Sequence, residues 1–169
     1  MFLAHLPAGY LLTRGVERRG ATAPGLMAVG LVASVLPDLD LLYFYLIDGR
    51  QTAHHAYVTH FPAFWLLLAG LGAAVLLALG RRDGLVYVWV ALANVLLHLV
   101  LDSVAAEIYW LWPLSTAQVN LVHVPDLHDP WFMNFLWHWT SLVELAIVAM
   151  ACLVFWRDRR RRRLTVPPS

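Results

Sequence analysis

The sequence is poor in cysteine and in charge. Cys152 is the only cysteine among 169 residues, so the chain can form neither an intrachain disulfide nor a thiolate metal cluster. Charged residues make up 14%, against roughly 25% in an average soluble domain. The net charge of +1 gives no indication of a nucleic-acid partner. Hydrophobic residues, in contrast, make up 60% of the chain, which favours one integral membrane domain over a soluble one.

Four apolar stretches are candidate membrane spans, because a spanning helix needs about 20 mostly apolar residues. They are residues 25–47, 61–80, 85–105 and 139–156. Residues 2–13 are too short to span and are expected to form an N-terminal half-helix. The expected fold class is therefore all-α, a multi-pass transmembrane helical bundle with about four spans. Residues 1–156 would form the membrane domain, with an outer segment at 106–138 and a basic cytoplasmic tail at 157–169.

Arginines cluster in three places that alternating spans would bring to the same side of the membrane. Arg14, Arg18 and Arg19 precede the first long span, Arg81 and Arg82 lie between the second and third, and the arginine-rich tail follows the fourth. The positive-inside rule assigns all three clusters to the cytoplasm. All eight histidines then fall in the opposite, outer half. The sequence therefore predicts a plasma (inner) membrane protein with its polar chemistry on the non-cytoplasmic side.

Two residues near the end of the third candidate span can act together. His98 and Asp102 are four residues apart in an otherwise apolar helix, which puts both side chains on one face with their Cβ atoms about 5–6 Å apart. They can chelate a metal or form a hydrogen-bonded pair that helps helices pack. A carboxylate within a span costs about 2.5–3.5 kcal/mol on insertion scales, so such residues usually line a cavity.

Two further carboxylates follow a proline in the first long stretch. Pro37 cannot donate a backbone hydrogen bond and is expected to break the helix, opening the chain toward a cavity. Asp38 and Asp40, on either side of Leu39, can then point to one cation or bridge two. The alternative is a polar helix end, with Asp38 as a cap.

Three histidines lie within seven residues of the loop that follows. His54, His55 and His60 belong to the segment TAHHAYVTH. The separation of His55 and His60 by five residues would make them diverge on a regular helix, although they can converge across a helix start. We expect at least one of the three to ligate metal.

Imidazole and carboxylate groups from four separate stretches thus form the candidate metal site. Such ligands suit zinc, manganese, iron or nickel, with zinc or manganese preferred here. The candidates exceed the needs of one tetrahedral ion and are compatible with a dinuclear centre of the kind found in two-metal hydrolases. Asp40, Asp102 and His60 are the candidate catalytic residues. The predicted metal ligands are His5, Asp38, Asp40, His55, His60, His98 and Asp102.

The ordered set of motifs resembles the YdjM-like membrane-bound metal-dependent hydrolases, an inner-membrane family. The similarity covers most of the chain, although residues 55–61 lack the arginine and serine usual in that block while keeping both histidines. It implies a metal-dependent hydrolase without naming a substrate. The matching features are His5, LPDLD at 36–40, the block ending in Thr59 and His60, LLHLVLDS at 96–103 and WLWPLS at 110–115.

These observations predict a membrane-embedded hydrolase at the outer face, acting on an ester or phosphoester of a lipid or lipid-linked substrate. The tryptophans around the outer segment are typical of an interfacial aromatic belt, and a site that they surround favours an amphipathic substrate over a soluble one. They are Trp110, Trp112, Trp131, Trp137 and Trp139. A metal or ion transporter, or a non-catalytic scaffold stabilised by metal, remains an alternative. His54, His123, His128 and His138 receive no firm role.

Overall fold

The computed structural model describes residues 3–130 and 132–165, so Trp131 lies outside the described residues. Regular secondary structure in these ranges is helical, apart from an isolated antiparallel bridge between Ile108 and Val119. Short 3-10 helices cover Pro37–Leu39, His54–Ala56, Val58–His60 and Arg82–Gly84. The α-helices are α1 (His5–Arg18), α2 (Leu26–Ala33), α3 (Asp40–Leu46), α4 (Pro62–Ala78), α5 (Leu85–Asp102), α6 (Phe132–Leu136) and α7 (Thr140–Thr165). The expected all-α class is confirmed.

The structure has fewer candidate spans than the four expected. In the described part of the chain, two helical segments are long and apolar enough to cross a membrane, Arg82–Asp102 and Thr140–Arg161. A third is gained only if Leu26–Ala33 and Pro37–Leu46, bent by 56° at their break, are counted as one span. Helix α4 is apolar but has 17 residues, or about 26 Å at 1.5 Å per residue, against a hydrocarbon core of about 30 Å.

The first helix is longer than the expected half-helix. Helix α1 runs from His5 to Arg18, so Arg14 and Arg18 lie on the helix and not in a loop after it. Arg14 Nε donates to Asp158 Oδ2 at 2.5 Å, and Arg18 donates to the other oxygen of Asp158 at 2.7 Å. These ion pairs join the end of α1 to the arginine-rich end of α7.

Helix α5 lies at the centre of the bundle and packs against α1, α2 and α4. Its buried side chains recur at helical spacing, with Asn94, Val95, His98, Leu99 and Asp102 on one face. This face explains why α5 carries polar residues through an apolar sequence: they are shielded from lipid by the helices around it.

The three basic segments lie at the same end of the bundle. Besides the pairs between α1 and α7, Tyr87 near the start of α5 donates its hydroxyl hydrogen to the carbonyl of Pro24, in the loop between α1 and α2. The turn that contains Arg81 and Arg82 precedes this part of α5. His98 and Asp102 lie toward the other end of α5, so the arginines and the histidine–aspartate cluster occupy opposite ends.

The break predicted at Pro37 is present and positions the first two carboxylates. Helix α2 ends at Ala33, and a 3-10 turn begins at Pro37 before α3 starts at Asp40. The 56° bend directs this segment over the end of α5. Asp38 and Asp40 therefore lie on the bend itself, beside His98 and the loop of histidines.

Candidate metal centre

Two carboxylates and two imidazoles converge at the end of α5. Asp38, His60, His98 and Asp102 each offer one ligand atom, and these four atoms lie within 4.8 Å of one another. His98 Nε2 is 3.0 Å from Asp102 Oδ2 and 3.5 Å from Asp38 Oδ1. His60 Nε2 is 3.8 Å from the same oxygen of each carboxylate. Ligands about 2.1 Å from a tetrahedral zinc are about 3.4 Å apart, so the observed separations fit a divalent cation.

The second nitrogen of each imidazole is held by a different group. His98 Nδ1 is 2.8 Å from the carbonyl oxygen of Ser34, and His60 Nδ1 is 3.0 Å from Asp40 Oδ2. The Nε2 atoms of both rings are buried and, within residues 3–130 and 132–165, form no hydrogen bond. Metal-ligating histidines typically donate their other ring hydrogen to a carbonyl or carboxylate. Two buried nitrogens aimed at two carboxylates are the observation on which the fit of a metal rests.

Asp40 was predicted as a ligand and is placed differently. Its Oδ2 contacts His60 Nδ1 and accepts a hydrogen bond from the Thr59 hydroxyl. The adjacent indole of Trp65 donates to the carbonyl of Thr59 at 2.6 Å, which fixes this corner. Asp40 is absent from the four-donor group of described residues, and its contacts orient the ring of His60.

His5 contacts the outer edge of the same cluster. Its Nε2 is 3.1 Å from Asp102 Oδ1, and its Nδ1 is 3.6 Å from Asp38 Oδ2. Its ring stacks on that of His98 at 3.8 Å between centroids. His5 therefore holds the carboxylate oxygens that face away from His60 and His98, and thereby helps to direct the other pair of oxygens inward.

The loop of histidines forms a second, smaller group. His54, His55 and His60 offer nitrogens within 4.8 Å of one another. His54 lies between the two carboxylates of the bend, with its ring nitrogens 3.3 Å from Asp38 Oδ1 and 3.2 Å from Asp40 Oδ1. Because His60 belongs to both groups, the described residues supply one complete four-donor set and two additional imidazoles.

The two additional imidazoles have opposite electrostatic environments. Burial alone would lower the pKa of His54, but its contacts with Asp38 and Asp40 outweigh this and raise the pKa to about 9. Burial of the His55 ring lowers its pKa to about 3, and the neighbouring histidines oppose the smaller influence of Asp102. His54 thus acts as a cationic partner of the carboxylates, whereas His55 is neutral and able to ligate or accept a hydrogen bond.

A cavity of about 510 Å³ opens directly onto this cluster. Asp38, His54, His55 and Asp102 form its polar side. The remaining wall is mostly apolar and consists of Leu41, Phe44, Tyr45, Arg50, Ala105, Ala106 and Phe135.

The family of this chain is shown by comparison with known proteins. The family model of the YdjM inner membrane proteins matches residues 1–163, which include every residue of the cluster. The chain belongs to the YdjM inner membrane protein family. No curated protein and no solved structure matches it significantly. The resemblance inferred from the sequence motifs is thus confirmed, while the metal-dependent hydrolase activity that it implied stays a prediction.

In this YdjM family member, two histidines of the outer segment have contacts within that segment and at the start of α7. Asn134 organises the segment by donating to Asp126 at 2.7 Å and accepting from the backbone amide of His128 at 2.6 Å. His138 is 3.1 Å from the hydroxyl of Thr140 at the start of α7. Neither His128 nor His138 is among the described residues that group as metal donors.

The sequence left out three features of the site. His54 received no role, yet its ring contacts both carboxylates of the bend; its position between Asp38 and Asp40 depends on a 3-10 turn that has no periodic signal. The carbonyl of Ser34 is a backbone group, which side-chain chemistry cannot reveal. Thr59 lies directly before His60 and donates its hydroxyl hydrogen to Asp40. Of the three features, this is the one that its place in the sequence beside a candidate ligand could have indicated.

Proposed function

We propose that this protein is a membrane-embedded, metal-dependent hydrolase that acts on an ester or phosphoester of a lipid or lipid-linked molecule. The observation that supports this most is the four-donor group of Asp38, His60, His98 and Asp102 at the wall of a half-apolar cavity. Two nitrogen and two oxygen donors suit zinc or manganese. When bound with one coordination position left open toward the cavity, a divalent ion would acidify a water molecule and polarise the scissile group.

The residues of the chain would divide the remaining tasks. Asp102 and His98, one helical turn apart on α5, hold their ligand atoms in a fixed relation because both belong to a rigid helix. Asp38 is the most accessible of the four, with 29% of its side chain exposed, and it lines the cavity. Its Oδ1 atom faces His60 and His98, while His5 Nδ1 lies 3.6 Å from its Oδ2 atom. Asp40, predicted as catalytic, would act as a positioning residue through His60.

We place this centre on the non-cytoplasmic side of the inner membrane. The support is the position of the three arginine-rich segments at the opposite end of the bundle, combined with the positive-inside rule. A site at that surface meets lipid headgroups from the outer leaflet.

The packing beneath the cluster argues against ion transport. Between the cluster and the basic end, Asn94 donates to Thr13 at 3.1 Å, and both side chains are fully buried. A Cβ added to Gly30 would lie 2.0 Å from Thr13 Oγ1, and one added to Gly9 would lie 2.4 Å from Ser34 Cβ. The helices are in such close contact here that a cation has no room between these described residues. A purely structural metal, the other alternative, gives no reason for a cavity that opens on its ligands.

The first test is elemental analysis of the detergent-purified protein. Wild-type protein is expected to retain about one equivalent of zinc or manganese, while His98→Ala and Asp38→Ala lose it because each removes one of four ligands. His128→Ala is the matched control, since this histidine lies in the outer segment and is not among the described residues that group as metal donors. Metal content that is the same in all four proteins would refute the site.

The second test separates an enzyme from a scaffold. Metal-loaded wild-type protein is assayed with aryl phosphomonoester, phosphodiester and acyl-ester substrates, with and without a chelator. Chelator-sensitive turnover of one class, lost in His98→Ala and kept in His128→Ala, is the expected result. Folded, metal-loaded protein without turnover of any class would favour the scaffold.

A further inference from the structure

The cavity beside the cluster has one apolar wall and one basic corner. Phe44, Tyr45 and Leu41 of α3 form part of the wall, and Ala105 and Ala106 after α5 continue it. Apart from the hydroxyl of Tyr45, these side chains offer no hydrogen-bonding group. A molecule that fills the cavity from the cluster outward therefore needs an apolar portion against this wall.

Arg50 is the basic corner. Its guanidinium carbon lies 5.9 Å from the centroid of the Tyr45 ring, within range of a cation–π contact that holds the side chain over the wall. No carboxylate of the described residues forms an ion pair with it, although Asp48 is two positions away and is occupied by Thr52. Arg50 therefore has its hydrogen-bond donors available to a molecule in the cavity.

The backbone at Arg50 is unusual for this residue type. Its φ is +66°, directly after Gly49 at +59°, and its amide donates to the carbonyl of Phe44 at 3.0 Å. A residue other than glycine, asparagine or aspartate seldom adopts this left-handed conformation, which costs of the order of 1 kcal/mol. The turn reverses the chain after α3 and thereby brings the arginine back to the rim of the cavity, a kind of strain that tends to occur at functional sites.

The charges of the site leave Arg50 available to an anionic ligand. One bound divalent cation would balance the carboxylates of Asp38 and Asp102. Asp40 contacts His60, Thr59 and the ring of His54, its cationic partner. Among the described residues that line the cavity, the guanidinium of Arg50 is thus a positive charge with no carboxylate partner.

A second apolar cavity begins where the first one ends. Phe135 of α6 lines both, and the second cavity, of about 380 Å³, continues between the start of α1 and the start of α7. Its walls include Leu3, Phe132, Leu136 and Leu145, and its polar lining residues are Ser141 and Glu144, of which Glu144 accepts a hydrogen bond from the backbone amide of Leu3. A linear apolar chain that leaves the first cavity past Phe135 thus meets a further apolar surface and not water.

We propose that the cavity binds a single-chain amphipathic phosphate, with its anionic group held by Arg50 and its alkyl chain lying along α3 toward Phe135. Phosphate is favoured over a neutral ester because the planar guanidinium can donate two parallel hydrogen bonds to phosphate oxygens. This inference names the substrate class of the proposed hydrolase and rests on that function only for turnover; the binding itself can be measured separately.

The test is direct binding of radiolabelled dodecyl phosphonate, which cannot be hydrolysed, to metal-loaded protein in nanodiscs of zwitterionic lipid. Arg50→Gln is expected to weaken binding about tenfold or more, because a charge-assisted hydrogen bond is lost. Arg81→Gln, in an exposed turn at the other end of the bundle, is the matched control and should bind like wild type. Equal binding by Arg50→Gln and wild type would overturn the proposal.

Further ligands test the two halves of the assignment. Shortening the alkyl chain is expected to weaken binding about fourfold for each CH₂ removed from the apolar wall. Inorganic phosphate, dodecanol and laurate are each expected to bind more weakly than dodecyl phosphonate. Binding as tight as that of dodecyl phosphonate by any one of the three would overturn the amphipathic phosphate assignment. Phe135→Ala should weaken binding of the dodecyl compound more than that of the butyl compound, and an equal loss for both would contradict the placement of the chain.

The outcomes for this proposal and for the hydrolase are separable. If His98→Ala keeps its metal while Arg50→Gln loses dodecyl phosphonate, the cavity assignment stands and the metal centre fails. If metal and turnover behave as expected but Arg50→Gln binds normally, the hydrolase stands and this inference fails.

Discussion

Substitution of Asp40 by asparagine distinguishes a ligand from a positioning residue. Asp40 Oδ2 lies 3.0 Å from His60 Nδ1, the nitrogen opposite the one that faces the other donors. Asparagine keeps the size of the side chain but removes the charge that makes His60 a better donor. Loss of such a partner typically weakens metal binding by 10–100-fold, whereas loss of a direct ligand is expected to cost more.

The same change has a calculable effect on stability. Zinc at 100 times the wild-type Kd stabilises the folded protein by about 2.7 kcal/mol. At that concentration, a 10–100-fold weaker site retains about 1.4 to 0.4 kcal/mol of this stabilisation. Asp40→Asn is therefore expected to lose about 1.3–2.3 kcal/mol of metal-dependent stability.

The assay is thermal unfolding in detergent at buffered free zinc, with and without chelator, for wild type, Asp40→Asn and Asp38→Asn. Without zinc, the comparison reports the structural effect of each substitution alone. With zinc, Asp40→Asn should still respond to the metal at higher concentrations, and Asp38→Asn should respond least. The reasoning is refuted if Asp40→Asn loses the zinc response as completely as Asp38→Asn, which would make it a ligand, or if it loses none.

Two further predictions concern the bundle. Gly30→Ala should destabilise the protein by about 1–3 kcal/mol, because the new Cβ would lie 2.0 Å from Thr13 Oγ1. Gly15→Ala in α1 should stabilise the protein by about 0.5–1 kcal/mol, because a Cβ there meets no described neighbouring atom within 4 Å. Equal unfolding temperatures of the two variants would contradict the close packing of α1 and α2. Asp158→Asn should lower the free energy of unfolding by about 1–3 kcal/mol, because it removes the charge that pairs with two arginines of α1. The exposed control Asp83→Asn should have no measurable effect. Equal stability of the two variants would show that the ion pairs of Asp158 do not hold α7 against α1.

The parts of the site that follow a regular period were predictable from the sequence. The i, i+4 spacing of His98 and Asp102 gave their proximity, and the structure has their ligand atoms 3.0 Å apart. The proline at residue 37 predicted a break, and a 56° bend is found there. In both cases one local rule of backbone geometry decides the result.

The parts that depend on tertiary contacts were not predictable in detail. In the structure, Asp40 contacts His60 Nδ1 and Asp38 contacts His60 Nε2. The spacing of these residues in the sequence could not show this, because it depends on how the 3-10 turn at Pro37 packs against the loop of histidines. The number of spans was overestimated because the apolar stretch 61–80 includes residues that do not belong to α4, whose helix ends at Ala78. Composition measures the length of an apolar segment, whereas a span depends on the length of its helix.

The bend at Pro37 also explains how a membrane domain tolerates three carboxylates near its core. On one continuous helix, Asp38 and Asp40 would point about 160° apart, so that one of them would face lipid or apolar side chains. The break allows both to meet imidazoles: His60 contacts each of them, and His54 lies between them. The insertion cost of the charges is thereby offset by pairs that form only in the folded chain. The same geometry that makes the carboxylates tolerable directs two nitrogens, His60 Nε2 and His98 Nε2, at carboxylate oxygens. The contacts that offset the insertion cost therefore also assemble the donors that a metal ion would need.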